Sequence, residues 1–209
     1  MTSTQGFYSG RVFPWLNDKL NADPELQRLR AEALAPARGR VVEIGFGTGL
    51  NMPHYPKAVQ SIVAIDPSSG MRARAEARIG ASHIPVQFIL GAAEQLPLPD
   101  AQFDTAVSVL TLCTVADVGR VLAELRRVLR DGGQLLLMEH GLSDDDRVAR
   151  WQQRLNGMQR VVACGCNLNR RIADLVCANG FQFDSLRQFF VPKMPRTHGW
   201  VTLGVATKG

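Results

Sequence analysis

Cysteine is scarce in this chain, four among 209 residues, and no pair is spaced C-x-x-C. That rules out a disulfide framework or a zinc ribbon read from spacing alone. Cys164-Gly-Cys166 is too short for a lone zinc site, and neither Cys113 nor Cys177 has a histidine or cysteine partner beside it in sequence, so no metal is expected. No apolar run approaches the ~18 residues needed to cross a bilayer, and the amino-terminal stretch lacks an apolar secretory core. These features together predict a cytoplasmic protein. Internal repeats and low-complexity tracts are missing too. A G-x-x-x-x-G-K-[ST] loop is absent, which excludes a phosphate-cradling P-loop. Lys plus Arg (24) exceeds Asp plus Glu (19), but the arginines are spread over several expected helix faces (Arg72, Arg74, Arg78; Arg120, Arg126, Arg127, Arg130; Arg147, Arg150, Arg154). Dispersed charge reads as solvated surface, with attraction to anionic lipid or nucleic acid as the lesser reading.

What the sequence does contain is concentrated in Arg40-Val-Val-Glu-Ile-Gly-Phe-Gly-Thr-Gly-Leu-Asn51 and, further on, Ser61-Ile-Val-Ala-Ile-Asp66. The first reads as a buried strand running into a glycine-rich turn, where missing side chains let backbone N–H groups approach a ligand closely. The second ends a strand on a carboxylate about 20 residues later, where parallel α/β sheets hold the hydroxyls of a ribose. Leu50 stands where a dinucleotide fingerprint needs its third glycine, which weakens a nicotinamide reading. Glu43 places an anion where a pyrophosphate is least welcome and a cationic ligand is tolerated.

The set Glu43-x-Gly45-x-Gly47-x-Gly49 with Asp66 resembles motifs I and II of the class I S-adenosylmethionine-dependent methyltransferases. Gly91-Ala-Ala-Glu-Gln-Leu-Pro-Leu-Pro-Asp-Ala-Gln-Phe-Asp104 resembles the adenine-side loop and fourth strand of that family. Glu124-Leu-Arg-Arg-Val-Leu-Arg-Asp-Gly-Gly133 resembles the helix and double-glycine turn before the fifth strand. Where the family commonly has an acid, this chain has Ala92, so Glu94 or backbone carbonyls are expected to read the adenine amine. The resemblance implies S-adenosyl-L-methionine as cofactor, held by Glu43, Gly45, Gly47, Gly49, Asn51, Asp66, Pro67, Met71, Ala93, Glu94 and Leu110.

Strand patterns at 40–44, 61–65, 85–90, 103–110 and 133–139 alternate with helical patterns near 70–80 and 116–130, which argues for βαβ units and a parallel sheet. Helices are expected at 143–160 and 169–178, followed by strands at 182–190 and 200–207 around Pro192-Lys-Met-Pro-Arg-Thr-His-Gly199. That closing hairpin predicts an antiparallel last strand. The fold class is therefore α/β: a doubly wound, seven-stranded, Rossmann-like methyltransferase sheet, mostly parallel, in a single domain spanning 1–209. Residues 1–35, with Phe7, Tyr8, Phe13 and Trp15, are expected to form an arm that packs over the cofactor mouth or covers a sheet edge. The 143–170 segment is expected to be a substrate-side insertion.

Thr111-Leu-Cys-Thr114, Met138-Glu-His140, Trp151-Gln-Gln-Arg-Leu-Asn156 and Gly165-Cys-Asn-Leu-Asn-Arg170 resemble a branch of the superfamily that acts on small thiols, phospholipids and quinones. Methyl transfer from a sulfonium needs mainly binding, alignment and an acceptor lone pair, so a general base is optional. His140, past the fifth strand, is the first candidate to assist, with Tyr8 in the arm as a second. Cys113, Trp151, Arg170 and His198 are the acceptor-side candidates. The expected partner is a small molecule, a thiol first, with phosphatidylethanolamine or a quinone carbon as alternatives. Peripheral membrane contact is admitted and the oligomeric state is left open. Nucleic acid is not expected, because the Asn/Asp-Pro-Pro-Tyr/Phe element of base methyltransferases is replaced here by Leu110-Thr-Leu-Cys113. Binding of the cofactor without turnover, as in a sensor or scaffold, stands as the non-enzymatic alternative.

Overall fold

The structure is a computed structural model that describes residues 13–209. Phe7 and Tyr8 of the expected arm lie outside the described residues. The chain enters through helices α1 (Phe13–Asn21) and α2 (Pro24–Leu34), and the sheet begins with β1 (Gly39–Ile44). There follow β2 (Val59–Asp66), α3 (Ser69–Gly80), β3 (Val86–Leu90), β4 (Phe103–Val109), α4 (Val118–Val128) and β5 (Leu129–His140). The last third contributes α5 (Asp146–Val162), α6 (Ile172–Ala178), β6 (Phe181–Phe190) and β7 (Trp200–Lys208).

The seven strands stand in the order β3-β2-β1-β4-β5-β7-β6. All pairings from β3 through β5 are parallel, and β7 runs antiparallel between β5 and β6. The expected sheet, with its reversed last strand, is the one observed. Alternation along each strand explains why both faces are covered. Val41 and Leu136 point into one apolar layer, whereas Val42, Leu135 and Leu137 point into the other. Near-continuous apolar runs are what a strand buried on both faces requires.

α4 shows how the local code works. Asp117 accepts from the Arg120 N–H to cap its start, and Val118, Val121, Leu122, Leu125 and Val128 form its buried stripe. The helix stops two residues earlier than its pattern suggested, because Leu129 turns extended and pairs with Phe103 at the start of β5.

The arm divides in two. α2, capped by Asp23 with Pro24 in its first turn, buries Leu26, Leu29, Ala33 and Leu34 in the core and belongs to the layer over β5 and β7. It is therefore part of the packed body, since an apolar stripe of that width must be covered. α1 instead leans on the glycine turn: Asp18 accepts from the Thr48 hydroxyl at 2.5 Å and pairs with Arg78 at 3.1 Å. Among the described residues no helix is long and apolar enough to cross a membrane.

Candidate functional site

At the carboxyl edge of the sheet, β1 ends in a turn whose Gly45, Gly47 and Gly49 all have positive φ (62°, 58° and 78°). The three glycines are required for different reasons. A Cβ on Gly45 would strike the Thr111 side chain, and one on Gly49 would crowd the Phe46 ring at 3.3 Å. A Cβ on Gly47 would meet no protein atom closer than 3.8 Å, so the space above it is open. Gly45 and Gly47 line a cavity of about 400 Å³, together with Ile65, Asp66, Pro67, Ser68, Met71, Ala93, Glu94, Leu110, Thr114 and Cys164, among others. Gly49 stays behind the turn as packing.

Asp66 sits at the heart of this wall. Its Oδ2 accepts from the Gly47 N–H at 2.8 Å and its Oδ1 from the Ser68 N–H at 2.8 Å. Burial pushes the carboxyl upward, and these two backbone donors pull it back. Each oxygen keeps a lone pair, so two further hydroxyl donors can be accepted. The carboxylate also faces the start of α3, where Ser68 caps the Met71 N–H and the helix dipole favours an anion. Leu110 closes the opposite side with φ +55°, an uncommon conformation for a branched residue at a ligand-facing turn.

Beside the glycine turn lies a second, smaller hollow of about 70 Å³ lined by Asn21, Arg30, Gly45, Gly47, Asn51 and Leu110, among others. Arg30 of α2 enters it from the core, 5% exposed, and donates from Nη1 to the Asn51 Oδ1 at 2.7 Å. Its Nε is buried without an acceptor among the described residues. Asn51 donates in turn to Glu43 Oε1 at 2.7 Å, and the Tyr55 hydroxyl donates to Glu43 Oε2 at 2.6 Å. Glu43 therefore lies beneath the turn, outside the larger cavity. Burial raises its carboxyl to about 7, against the pull of Tyr55, Asn51 and Arg30. Arg30 is lowered to about 10 by the same desolvation, offset by Glu43 and Glu139. A buried guanidinium with an unpaired N–H at a hollow is costly unless an anion completes it.

Glu94 lines the cavity, yet its Oε1 accepts from the Ala116 N–H at 2.9 Å and, more weakly, from Asp117 at 3.4 Å. It thus ties the adenine-side loop to the loop before α4. Leu96 behind it is core, and Arg127 holds the loop through the Leu96 and Leu98 carbonyls.

The acceptor-side candidates are scattered. His140 ends β5 but is not on the cavity wall; its Nε2 lies 2.9 Å from Cys166 Sγ. Cys113 is buried behind the same wall. Trp151 is 56% exposed on the outer side of α5, under the Arg154 guanidinium. A helix residue facing solvent cannot reach the cavity. His198 is held by Thr197 and Gln159 in the β6–β7 connection. Arg170 is not free to meet an acceptor end-on: it donates to the Leu112 and Val115 carbonyls and pins the loop after β4. Tyr8 lies outside the described residues.

Three residues that the sequence reasoning did not place in the site are prominent here. Arg30 was visible only as the one cation inside an apolar helical stripe. Cys164, with φ +48°, contributes to the cavity wall after α5. Glu139, the acid at the end of an apolar strand, accepts from the Ser108 hydroxyl at 2.7 Å and from the Thr111 and Leu112 N–H groups at 2.8 and 3.0 Å. It is the internal anchor of the loop that walls the cavity.

The fold and this turn-plus-acid geometry define a class. Residues 42–137 match the family model described as a methyltransferase domain. This match, the related methyltransferases and the shared fold support a class I S-adenosylmethionine-dependent methyltransferase, a family that takes S-adenosyl-L-methionine as methyl donor. It is 36% identical over 134 residues to a phosphatidylethanolamine N-methyltransferase of Cereibacter sphaeroides, covering 63% of this chain and 66% of that protein. It is 31% identical over 167 residues to the human thiol S-methyltransferase TMT1B, covering 75% of this chain and 66% of that protein. In both cases the matched length falls just short of two thirds of the relative. A solved S-adenosylmethionine-dependent methyltransferase of Thermotoga maritima superposes with a TM-score of 0.67 at 24% identity, over 95% of this chain and 99% of that one, which shows the shared fold.

Proposed function

We propose that this chain transfers a methyl group from S-adenosyl-L-methionine to a small-molecule acceptor, a thiol first among them. The observation that carries the reading is Asp66, an almost fully buried carboxylate fixed by two backbone donors inside a cavity of about 400 Å³ beside an open glycine turn. The residues present fit the cofactor. Asp66 has lone pairs for a ribose diol, and the free space over Gly47 admits the ligand backbone. The unpaired Arg30 Nε suits a carboxylate, and Pro67, Met71, Ala93 and Glu94 enclose the adenine side. When bound, the cofactor supplies an activated methyl on a sulfonium, and the protein's part is to orient it and exclude water.

His140 is given no role as base in this reading, because its imidazole is turned to Cys166. Alignment alone can supply ~7–11 kcal/mol of barrier lowering, so the acceptor can enter with its lone pair already free. All four cysteines are free thiols, which fits the reducing cytoplasm expected for the protein.

A lipid acceptor is the second reading, and α5 favours it. Trp151, Met158 and Val161 are exposed on this helix alongside Arg147, Arg150 and Arg154, an apolar and basic face of the kind that rests on anionic membrane surfaces. Two experiments separate the readings. Radiolabelled methyl transfer is measured across thiols, amines, quinols and phosphatidylethanolamine vesicles; label in thiols supports the first reading, and label only in lipid supports the second. Retention of cofactor with no labelled product anywhere leaves a binding role. Liposome sedimentation that rises with anionic lipid and falls with salt supports the α5 surface, and its absence at low salt removes it.

A further inference from the structure

Behind the cavity wall the fold brings together three residues far apart in sequence. Cys113 follows β4, His140 ends β5, and Cys166 follows α5, and their donor atoms all lie within 4.8 Å of one another. Cys113 and Cys166 are buried, at 2% and 7% exposure. Thr114, next to Cys113, and Cys164, two residues before Cys166, line the cofactor-sized cavity, so the cluster lies close behind its wall.

The scaffold around these side chains is fixed from every direction. The Cys113 carbonyl accepts from the Asn167 backbone N–H at 2.8 Å and from its side chain at 3.0 Å, which joins the Cys113 and Cys166 loops. The loop preceding Cys113 hangs from the Glu139 carboxylate, and Arg170 holds the carbonyls on either side. His140 is locked by β5–β7 pairing opposite Val201. Its Nδ1 is buried without a partner among the described residues, while Nε2 is aimed at Cys166. Donor side chains held this way lose little freedom when a ligand arrives.

We propose that Cys113 Sγ, Cys166 Sγ and His140 Nε2 form a binding site for a thiophilic divalent cation of the zinc type, with one coordination position left open. Two thiolates and an imidazole are a donor set such ions favour, and three protein ligands with a vacant fourth position are the pattern of reactive rather than purely structural zinc. Tetrahedral zinc with bonds of about 2.0–2.3 Å sets its donors about 3.4–3.8 Å apart. The longest donor pair therefore needs to contract by about an ångström at most, while His140 Nε2 and Cys166 Sγ, now 2.9 Å apart, must open by about half an ångström. Binding replaces two S–H bonds by two metal–sulfur bonds, and both thiol protons pass to solvent. The site is independent of the methyl-transfer reading.

Cobalt(II) is the probe, because it takes the same geometry and is coloured when thiolate-bound. The full chain, reduced with a phosphine and freed of metal by chelation, is titrated with cobalt(II). One equivalent should produce thiolate-to-metal charge-transfer absorption with tetrahedral visible bands, and one equivalent of zinc(II) should bleach them and raise the melting temperature. Cys113→Ser and Cys166→Ser should each lose most of the charge-transfer intensity, and His140→Ala should weaken binding at least tenfold. Cys177→Ser, at an exposed position on α6, should match the wild type. Melting curves certify each variant as folded, and the three ligand variants test the site separately. No charge-transfer band in the wild type, or a band of undiminished intensity in folded Cys166→Ser, overturns the proposal. So does loss of two thiols to a disulfide on oxidation in a protein that takes up no cobalt when reduced.

Discussion

Arg30 donates to the side-chain oxygen of Asn51 across 2.7 Å, its side chain lines a small hollow, and its Nε is buried with no acceptor among the described residues. Twenty-one residues separate the two in sequence, and the contact joins a core helix to the cofactor turn. An unpaired buried cation at that spot is a waiting partner for an anion. Replacing it by Met should lower affinity for S-adenosylhomocysteine by about ten- to a hundredfold, since a hydrogen bond to a charged group contributes ~1.5–3 kcal/mol. The fold should also lose stability, because Met strands the Asn51 Oδ1 and takes away the cation beside the buried Glu43. Calorimetric titration beside a melting curve checks both halves, and unchanged affinity in a folded Arg30→Met protein would remove Arg30 from the site.

Gly45 and Gly47, two residues apart, should fail in different ways. Gly45→Ala drives a Cβ into Thr111, so the loss should appear in stability. Gly47→Val meets open space in the protein, so beyond a backbone strain of about 1–2 kcal/mol its effect should fall on cofactor binding. Comparing denaturation midpoints with S-adenosylhomocysteine affinities for the pair decides it; wild-type affinity in folded Gly47→Val would contradict the placement.

Glu43 carries a pH signature. Its carboxyl is raised to about 7 from 4.5, so between those values the folded protein holds a proton that the unfolded chain has released. Stability therefore falls as pH climbs through that window, by about 3 kcal/mol at the order-of-magnitude level. Asp66 and Glu139 are raised as well and act with the same sign, but they are present in both proteins of a comparison. Melting temperature against pH should fall less steeply in Glu43→Gln than in the wild type, and parallel curves would show that Glu43 does not titrate there.

Glu139 should matter to the fold more than to any chemistry. Glu139→Ala strands the Thr111 and Leu112 N–H groups and the Ser108 hydroxyl in a buried place, at ~1–3 kcal/mol for each lost partner. A loss of about 3–6 kcal/mol in urea denaturation is expected, with Glu139→Gln losing less because one acceptor oxygen remains. A loss under about 1 kcal/mol for the alanine variant would show that water replaces the carboxylate.

The local code was legible. Apolar runs and period-3.6 patterns marked seven strands and the principal helices within a few residues, because the central strands β1, β4 and β5 are buried on both faces and each helix stripe must meet the sheet. The glycine turn and Asp66 were readable for a similar reason: they end the neighbouring parallel strands β1 and β2, whose short connection is set by local sequence. The polar side chains inside the core were another matter. Glu139 looked like the last residue of a strand, and Arg170 like an acceptor clamp, until the loop after β4 was seen hanging between them.

Sequence by itself determined the sheet, its reversed last strand and the turn that faces the cofactor, since all three follow from backbone demands and the burial of adjacent residues. Tertiary structure alone decided that Arg30 reaches Asn51 and that Cys113, His140 and Cys166 converge. Their partners come from segments 21 to 53 residues apart, and no periodicity records which side chains meet once strands from distant parts of the chain lie side by side.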